Sequence, residues 1–140
     1  MPIQLTTVQG EKLLHSQETP WTIYPRPQMR RDSYVNLNGT WELSVQDEKH
    51  NIRVPFCPES LLSGVQKHFA EGAALEYRRN FILPEGFNKG RVLLHIGAAD
   101  QTTKIYVNQK LLATHVGGYD SFTVDITSAL QEAFGLHKFW

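Results

Sequence analysis

Six histidines, one cysteine and fourteen acidic side chains are spread over 140 residues. A carboxylic acid that does catalysis needs a second carboxylate at a fixed distance and a raised pKa. Glu59, in the run PES, has no recognisable second member. Ser60 and Ser63 lack a G-x-S-x-G setting, and the histidines form no H-x-x-x-H pair. Cys57, between Phe56 and Pro58, reads as a small buried residue rather than a nucleophile. No Cys/His group has zinc spacing. The sequence therefore assigns no catalytic residue, no metal site and no cofactor.

Residues suited to binding are easier to find. Glu76, Tyr77 and Arg78 stand where a strand leaves a long loop. Arg78 and Arg79 carry guanidinium groups that grip carboxylates bidentately or form ion pairs. Tyr77 continues an apolar face of period two. Asp100, after HIGAA, either accepts hydrogen bonds from a ligand or starts a turn by bonding the amides that follow it. His115 and Tyr119 flank the two glycines of HVGGYDSFTVDIT. These glycines allow a sharp corner that feeds Phe122, Val124 and Ile126 into a core, and the alternative use of His115 and Tyr119 is a ligand platform at the rim.

The elements that must hold these residues are strands. GTWELSV alternates Trp41, Leu43 and Val45 with Glu42 and Ser44. NIRVPF offers Ile52, Val54 and Phe56; EYRRNFILP offers Tyr77, Phe81 and Leu83 with Arg79 interrupting; RVLLHIG offers Val92, Leu94 and Ile96. KIYV and SFTVDI complete six short segments in about ninety residues, the spacing of an antiparallel sandwich or barrel. VNQKLL reads as a hairpin turn, where a type I′ geometry costs Gln109 about 1 kcal/mol relative to glycine unless another turn type is used. In the long loop CPESLLSGVQKHFAEGAAL, the residues around Ser60 suggest a helical turn capped by Pro58 and Glu59. SALQEAF is a second helix candidate with Ser128 as its N-cap. Residues 1–36, with Pro2, Pro20, Pro25 and Pro27, read as an extended arm packing on a domain of residues 37–140.

Composition narrows the partners. Fourteen Lys and Arg balance fourteen Asp and Glu, so the basic footprint of a nucleic-acid binder is missing. The start has neither the basic nor the apolar region of a signal peptide, and nothing approaches the ~18 apolar residues of a membrane span. A cytoplasmic protein without nucleic-acid or membrane partners is expected. A chain this long can bury roughly 70% of its unfolded surface, enough for one domain.

YVNLNGTWELSV, VPFCPESLLSGV, EYRRNFILP and RVLLHIGAADQTTKIYVNQKLLATHVGGYDSFTVDIT, in that order, resemble the amino-terminal sugar-binding domain of glycoside hydrolase family 2, over residues 34–130. The family contains β-galactosidases, β-glucuronidases and β-mannosidases. The resemblance implies an all-β antiparallel sandwich, jelly-roll or galactose-binding-domain-like. It also implies that catalysis in the parent protein belongs to a separate barrel with two glutamates of a retaining mechanism. Such hydrolysis needs carboxyl groups about 5–5.5 Å apart and a barrel of ~200 residues or more, which this chain is too short to include. The expected partners are the remaining domains of that glycosidase and its β-glycoside substrate, a β-galactoside by frequency within the family, with self-association through the arm as a further option. Glu76, Tyr77, Arg78, Asp100, His115 and Tyr119 are the residues expected to face substrate.

The sequence departs from the family pattern at three places. Glu76 stands where tryptophan is usual, and Asn108-Gln109 where Asn-Gly is usual. The tail LHKFW replaces a final strand, so the sandwich is expected to be truncated at its C-terminal end unless the tail supplies that strand. Two other readings stay open: an independent lectin-like module with Tyr77, His115 or Tyr119 in its groove, and a purely structural or oligomerising domain.

Overall fold

The computed structural model describes residues 6–21, 32–130 and 137–139. It contains one short helix, α1 (Val8–Leu14), and eight strands: β1 (Gly39–Val45), β2 (Glu48–Val54), β3 (Leu75–Phe81), β4 (Leu93–Ile96), β5 (Thr102–Val107), β6 (Lys110–Val116), β7 (Phe122–Asp125) and β8 (His137–Phe139). The fold is all-β, and each strand pairing is antiparallel. The sandwich class expected from the alternating segments is borne out. The chain divides into two compact units, Met1–Asp32 with Asn36–Arg78, and Ser33–Val35 with Arg79–Trp140.

In the first unit, β1 alternates as its sequence requires. Trp41, Leu43 and Val45 are buried, and Ile52 of β2 joins them opposite Trp41. The indole N–H of Trp41 donates to the Leu37 carbonyl at 2.7 Å, which satisfies its one polar atom inside the core. β2 starts earlier than the alternation suggests, at Glu48, and ends at Val54, so Phe56 lies beyond it. The Leu75–Arg78 part of β3 pairs with β1, with Tyr77 opposite Leu43.

The loop after β2 is built around Pro58 and Ser63, both buried. Ser63 Oγ donates to the carbonyls of Ser60 at 2.8 Å and Pro58 at 3.1 Å, and accepts from the Val65 amide. The helical turn expected here is a 3-10 turn over Leu61–Ser63, and its N-cap is Ser60 rather than Pro58 or Glu59. Pro58 takes the buried place that the sequence reading gave to Cys57, which is exposed and free.

Within the stretch read as an extended arm, Val8–Leu14 is helical. Thr7 Oγ1 caps it by accepting from the Gly10 amide at 3.0 Å. Arg53 of β2 ties down the following residues, donating to the carbonyls of Leu13 at 2.8 Å and Ser16 at 3.0 Å. Pro2, Pro25 and Pro27 lie outside the described residues.

The second unit is centred on Phe81, Val92, Leu94, Ile105, Val107, Val124 and Ile126, all buried. β5 and β6 form a hairpin with a register shift between Ile105 and Tyr106. β4 and β7 pair so that Leu94 faces Val124. The tail supplies a closing strand: β8 pairs with the Arg79–Phe81 part of β3 and, at Phe139, with Val107 of β5. The hairpin turn puts both Asn108 and Gln109 at positive φ, 48° and 68°. The type I′ requirement is met without glycine, and Asn108 Nδ2 anchors the turn by donating to the Ala129 carbonyl at 2.7 Å. The described part of the second helix candidate lies in and just after a 3-10 turn over Thr127–Ala129, with Ser128 inside that turn rather than at its cap. Residues 131–134 of that candidate lie outside the described residues.

Candidate functional site

Two groups of candidate residues emerge, one in each unit. In the first, β3 alternation puts Glu76 and Arg78 on one face and Tyr77 on the other. Arg78 Nη2 donates to Glu76 Oε1 at 2.7 Å, so the residue in the place of the family's usual tryptophan serves as an ion-pair partner. Tyr77 is half-buried. Burial pushes its hydroxyl up to about 12, and the negative charge near it at Glu59 and Cys57 adds to the rise. The phenol therefore stays neutral and offers a donor at any ordinary pH. Glu59 itself pairs with His68 at 3.5 Å, both side chains being well exposed. Arg79, the polar interruption of the apolar face, is half-buried, and burial lowers its pKa.

In the second unit, Asp100 and His115 lie against the corner that joins β6 to β7, and Tyr119 stands within that corner. Gly117 takes a φ of 128°, and its amide donates to the Gln101 carbonyl at 2.7 Å, locking the corner to the start of β5. Gly118 is needed for a different reason. A Cβ there would collide with Oδ1 of Asp100. Asp100 does not bond the amides after it among the described residues; its carboxylate packs on Gly118 instead. The His115 ring lies flat on Phe122, with centroids 4.1 Å apart and planes 12° apart. One imidazole face is thus covered, and its buried Nδ1 has no hydrogen-bond partner among the described residues. Tyr119 is 99% exposed. The corner holds the sheet and leaves the Tyr119 phenol in solvent.

Sequence reading missed other groups. Trp21 is 66% exposed and sits at a φ of 50°. A polar cleft of about 380 Å³ is lined by Gln17, Glu18, Thr19, Gly39, Thr40 and Arg53. Glu48 accepts from Lys67 and lies 3.1 Å from His50, and these partners lower its pKa. Trp21 and most of the cleft wall lie in the aperiodic stretch before β1, which gave no signal. Among the described residues, no group of three or more His, Cys, Asp or Glu could hold a metal ion. No helix there is long and apolar enough to cross a membrane.

No family model matches the chain. A β-galactosidase of Thermoanaerobacter pseudethanolicus is 33% identical over 55 residues, 39% of this chain and 7% of that protein. A β-glucuronidase of Faecalibacterium prausnitzii matches in structure with a TM-score of 0.62 and 23% identity, over 84% of this chain and 22% of that one. A β-D-mannosidase of Dictyoglomus thermophilum gives 0.63 and 19%, over 75% and 15%. The chain thus spans about a fifth or less of these proteins. In motif order and in fold alike, it resembles the amino-terminal sandwich domain of glycoside hydrolase family 2, as its sequence led us to expect.

Proposed function

We propose that this chain is the non-catalytic amino-terminal domain of a family 2 glycosidase and that it shapes the substrate pocket of a retaining β-glycosidase. The observation that carries this reading is the coincidence of four ordered motifs with a fold shared with segments of β-glucuronidases and a β-mannosidase. β-Galactosidase is the activity we assign to the parent, supported by the local identity to a β-galactosidase. The parts of the chain then have distinct roles. Residues 37–140 are the sandwich, and residues 1–36 are an arm packed on it, as the Arg53 bonds to Leu13 and Ser16 suggest. Tyr77, Glu76 and Arg78 on one unit, and Asp100, His115 and Tyr119 on the other, present donors and acceptors toward the β-glycoside or the neighbouring domains. The free thiol of Cys57 suits a reducing cytoplasm.

The coding sequence beyond codon 140 tests this. A second sandwich followed by a (β/α)8 barrel carrying two glutamates is the expected result. A stop codon, or an unrelated continuation, overturns it.

A further inference from the structure

We propose that β6 is a self-pairing edge: two copies of this chain join their β6 strands antiparallel about a two-fold axis at His115. This contact leaves the arm out and does not require the parent to be a glycosidase.

β6 pairs with β5 on one side and, among the described residues, with no strand on the other. An antiparallel ladder turns the backbone groups of successive residues to opposite sides. The Gly117 amide donates to the Gln101 carbonyl at the start of β5. The backbone groups of Ala113 and His115 therefore face β5, and those of Thr114 and Val116 face outward. Thr114 is exposed, and Val116 is 70% exposed. The one irregularity of the hairpin falls at Leu112, since Leu111 pairs with Tyr106 and Ala113 with Ile105, and residues 113–116 are regular. A bare rim with a β-branched apolar residue on it lacks the charges and prolines that guard an edge. The other edges are guarded. β2 carries Glu48, Lys49, His50 and Arg53, and Arg53 is held by the carbonyls of Leu13 and Ser16. β4 and β7 are short, four residues each.

The order of charge along β6 selects a second copy as the occupant. Lys110 opens the strand, is exposed, and lies 3.4 Å from the Ser128 hydroxyl. Past the other end, Oδ2 of Asp120 lies 3.1 Å from where a Cβ on Gly117 would stand, and the Asp100 carboxylate packs on Gly118. The strand is thus positive at its start and negative beyond its finish. An antiparallel copy lays each end against its opposite, and a parallel one sets like on like. With the axis at His115, Thr114 faces Val116 of the second copy and the reverse. Those two pairs match the outward groups with about four hydrogen bonds and set β-branched side chains against each other. Lys110 and Asp120 are each five residues from His115, so the same axis brings opposite charges to both ends. The His115 rings, stacked on Phe122, lie on the other face of the sheet from Thr114 and Val116. An unrelated extended peptide shares the hydrogen bonds but not this order of charge.

Sedimentation equilibrium of the 140-residue chain between about 5 and 500 μM tests the pairing. We expect a monomer–dimer equilibrium that closes at the dimer. Val116→Lys should weaken it about tenfold or more and Lys110→Glu several-fold. Adding Asp120→Lys to Lys110→Glu should recover most of the loss, and near-UV circular dichroism checks each fold. A monomer throughout the range overturns the proposal, and so does an undiminished dimer of folded Val116→Lys. If Val116→Lys does not fold, the charge variants decide: a Lys110→Glu dimer as tight as the unaltered one, or no recovery with Asp120→Lys, overturns it. A dimer that survives all of these changes assigns the contact to another face and also overturns it. Failure of the glycosidase reading leaves the sedimentation result unaffected, so the two are separable.

Discussion

At the scale of single residues, four positions give sharp expectations. Asp125 accepts from the hydroxyl and amide of Thr127 and from Arg91, and these bonds draw its pKa from 3.8 down to about 2. A carboxylate whose folded-state pKa is depressed stabilises the fold above its unfolded pKa and loses that contribution as pH falls through the folded one. The unaltered chain should therefore lose stability between roughly pH 4 and pH 2. Asp125→Asn should flatten that part of a denaturation profile followed against pH. Tyr77 acts at the other end: its raised pKa contributes stability that is lost as pH climbs from 10 toward about 12.

Gly118 is required by the carboxylate of Asp100 rather than by its own dihedral angle. Gly118→Ala should cost about 1 kcal/mol in a urea melt and much less in an Asp100→Ala background, since the clash is with a side chain. At Gln109, φ is 68°, and Gln109→Gly should stabilise the hairpin by about 1 kcal/mol. The sequence told us what that turn would demand of Gln109 but not whether the chain would meet it. Only the fold shows that the Asn108 amide is anchored on Ala129 and the strain is accepted.

At the scale of elements, legibility followed burial. β1 was read residue by residue because one of its faces is sealed, and period-two alternation is the direct imprint of that. Leu43, fully buried at its centre, should cost about 2–5 kcal/mol when cut to alanine, measured by thermal or urea unfolding. β6 was implied only by the turn before it. KLLATHV has no clean alternation, and Leu111 and Val116 are 49% and 70% exposed, so no apolar face announces the strand. β8 lies in a tail whose three paired residues carry too short a pattern to read. α1 escaped for the opposite reason: seven residues capped by a threonine make two turns at most, and its anchoring comes from Arg53, forty residues away. Cys57 is exposed where burial was expected, and Pro58 is buried in a loop organised by hydrogen bonds to its own carbonyl, which composition does not reveal.

At the scale of the whole molecule, the proposed role rests on motif order and on a fold shared with segments of larger glycosidases. The candidate residues were legible as types, and Asp100 does pack on Gly118, next in the chain to Tyr119. Their assignment to substrate came from motif order, not geometry. The exposed Trp21 was not legible because its contacts, Asn36 and Phe56, are brought to it by the fold.

The most direct check is hydrolysis of nitrophenyl β-galactoside, β-glucuronide and β-mannoside by the purified 140-residue chain, freed of host glycosidases. The account predicts no turnover above buffer with any of the three. Release of nitrophenol that scales with chain concentration and survives repurification would contradict it.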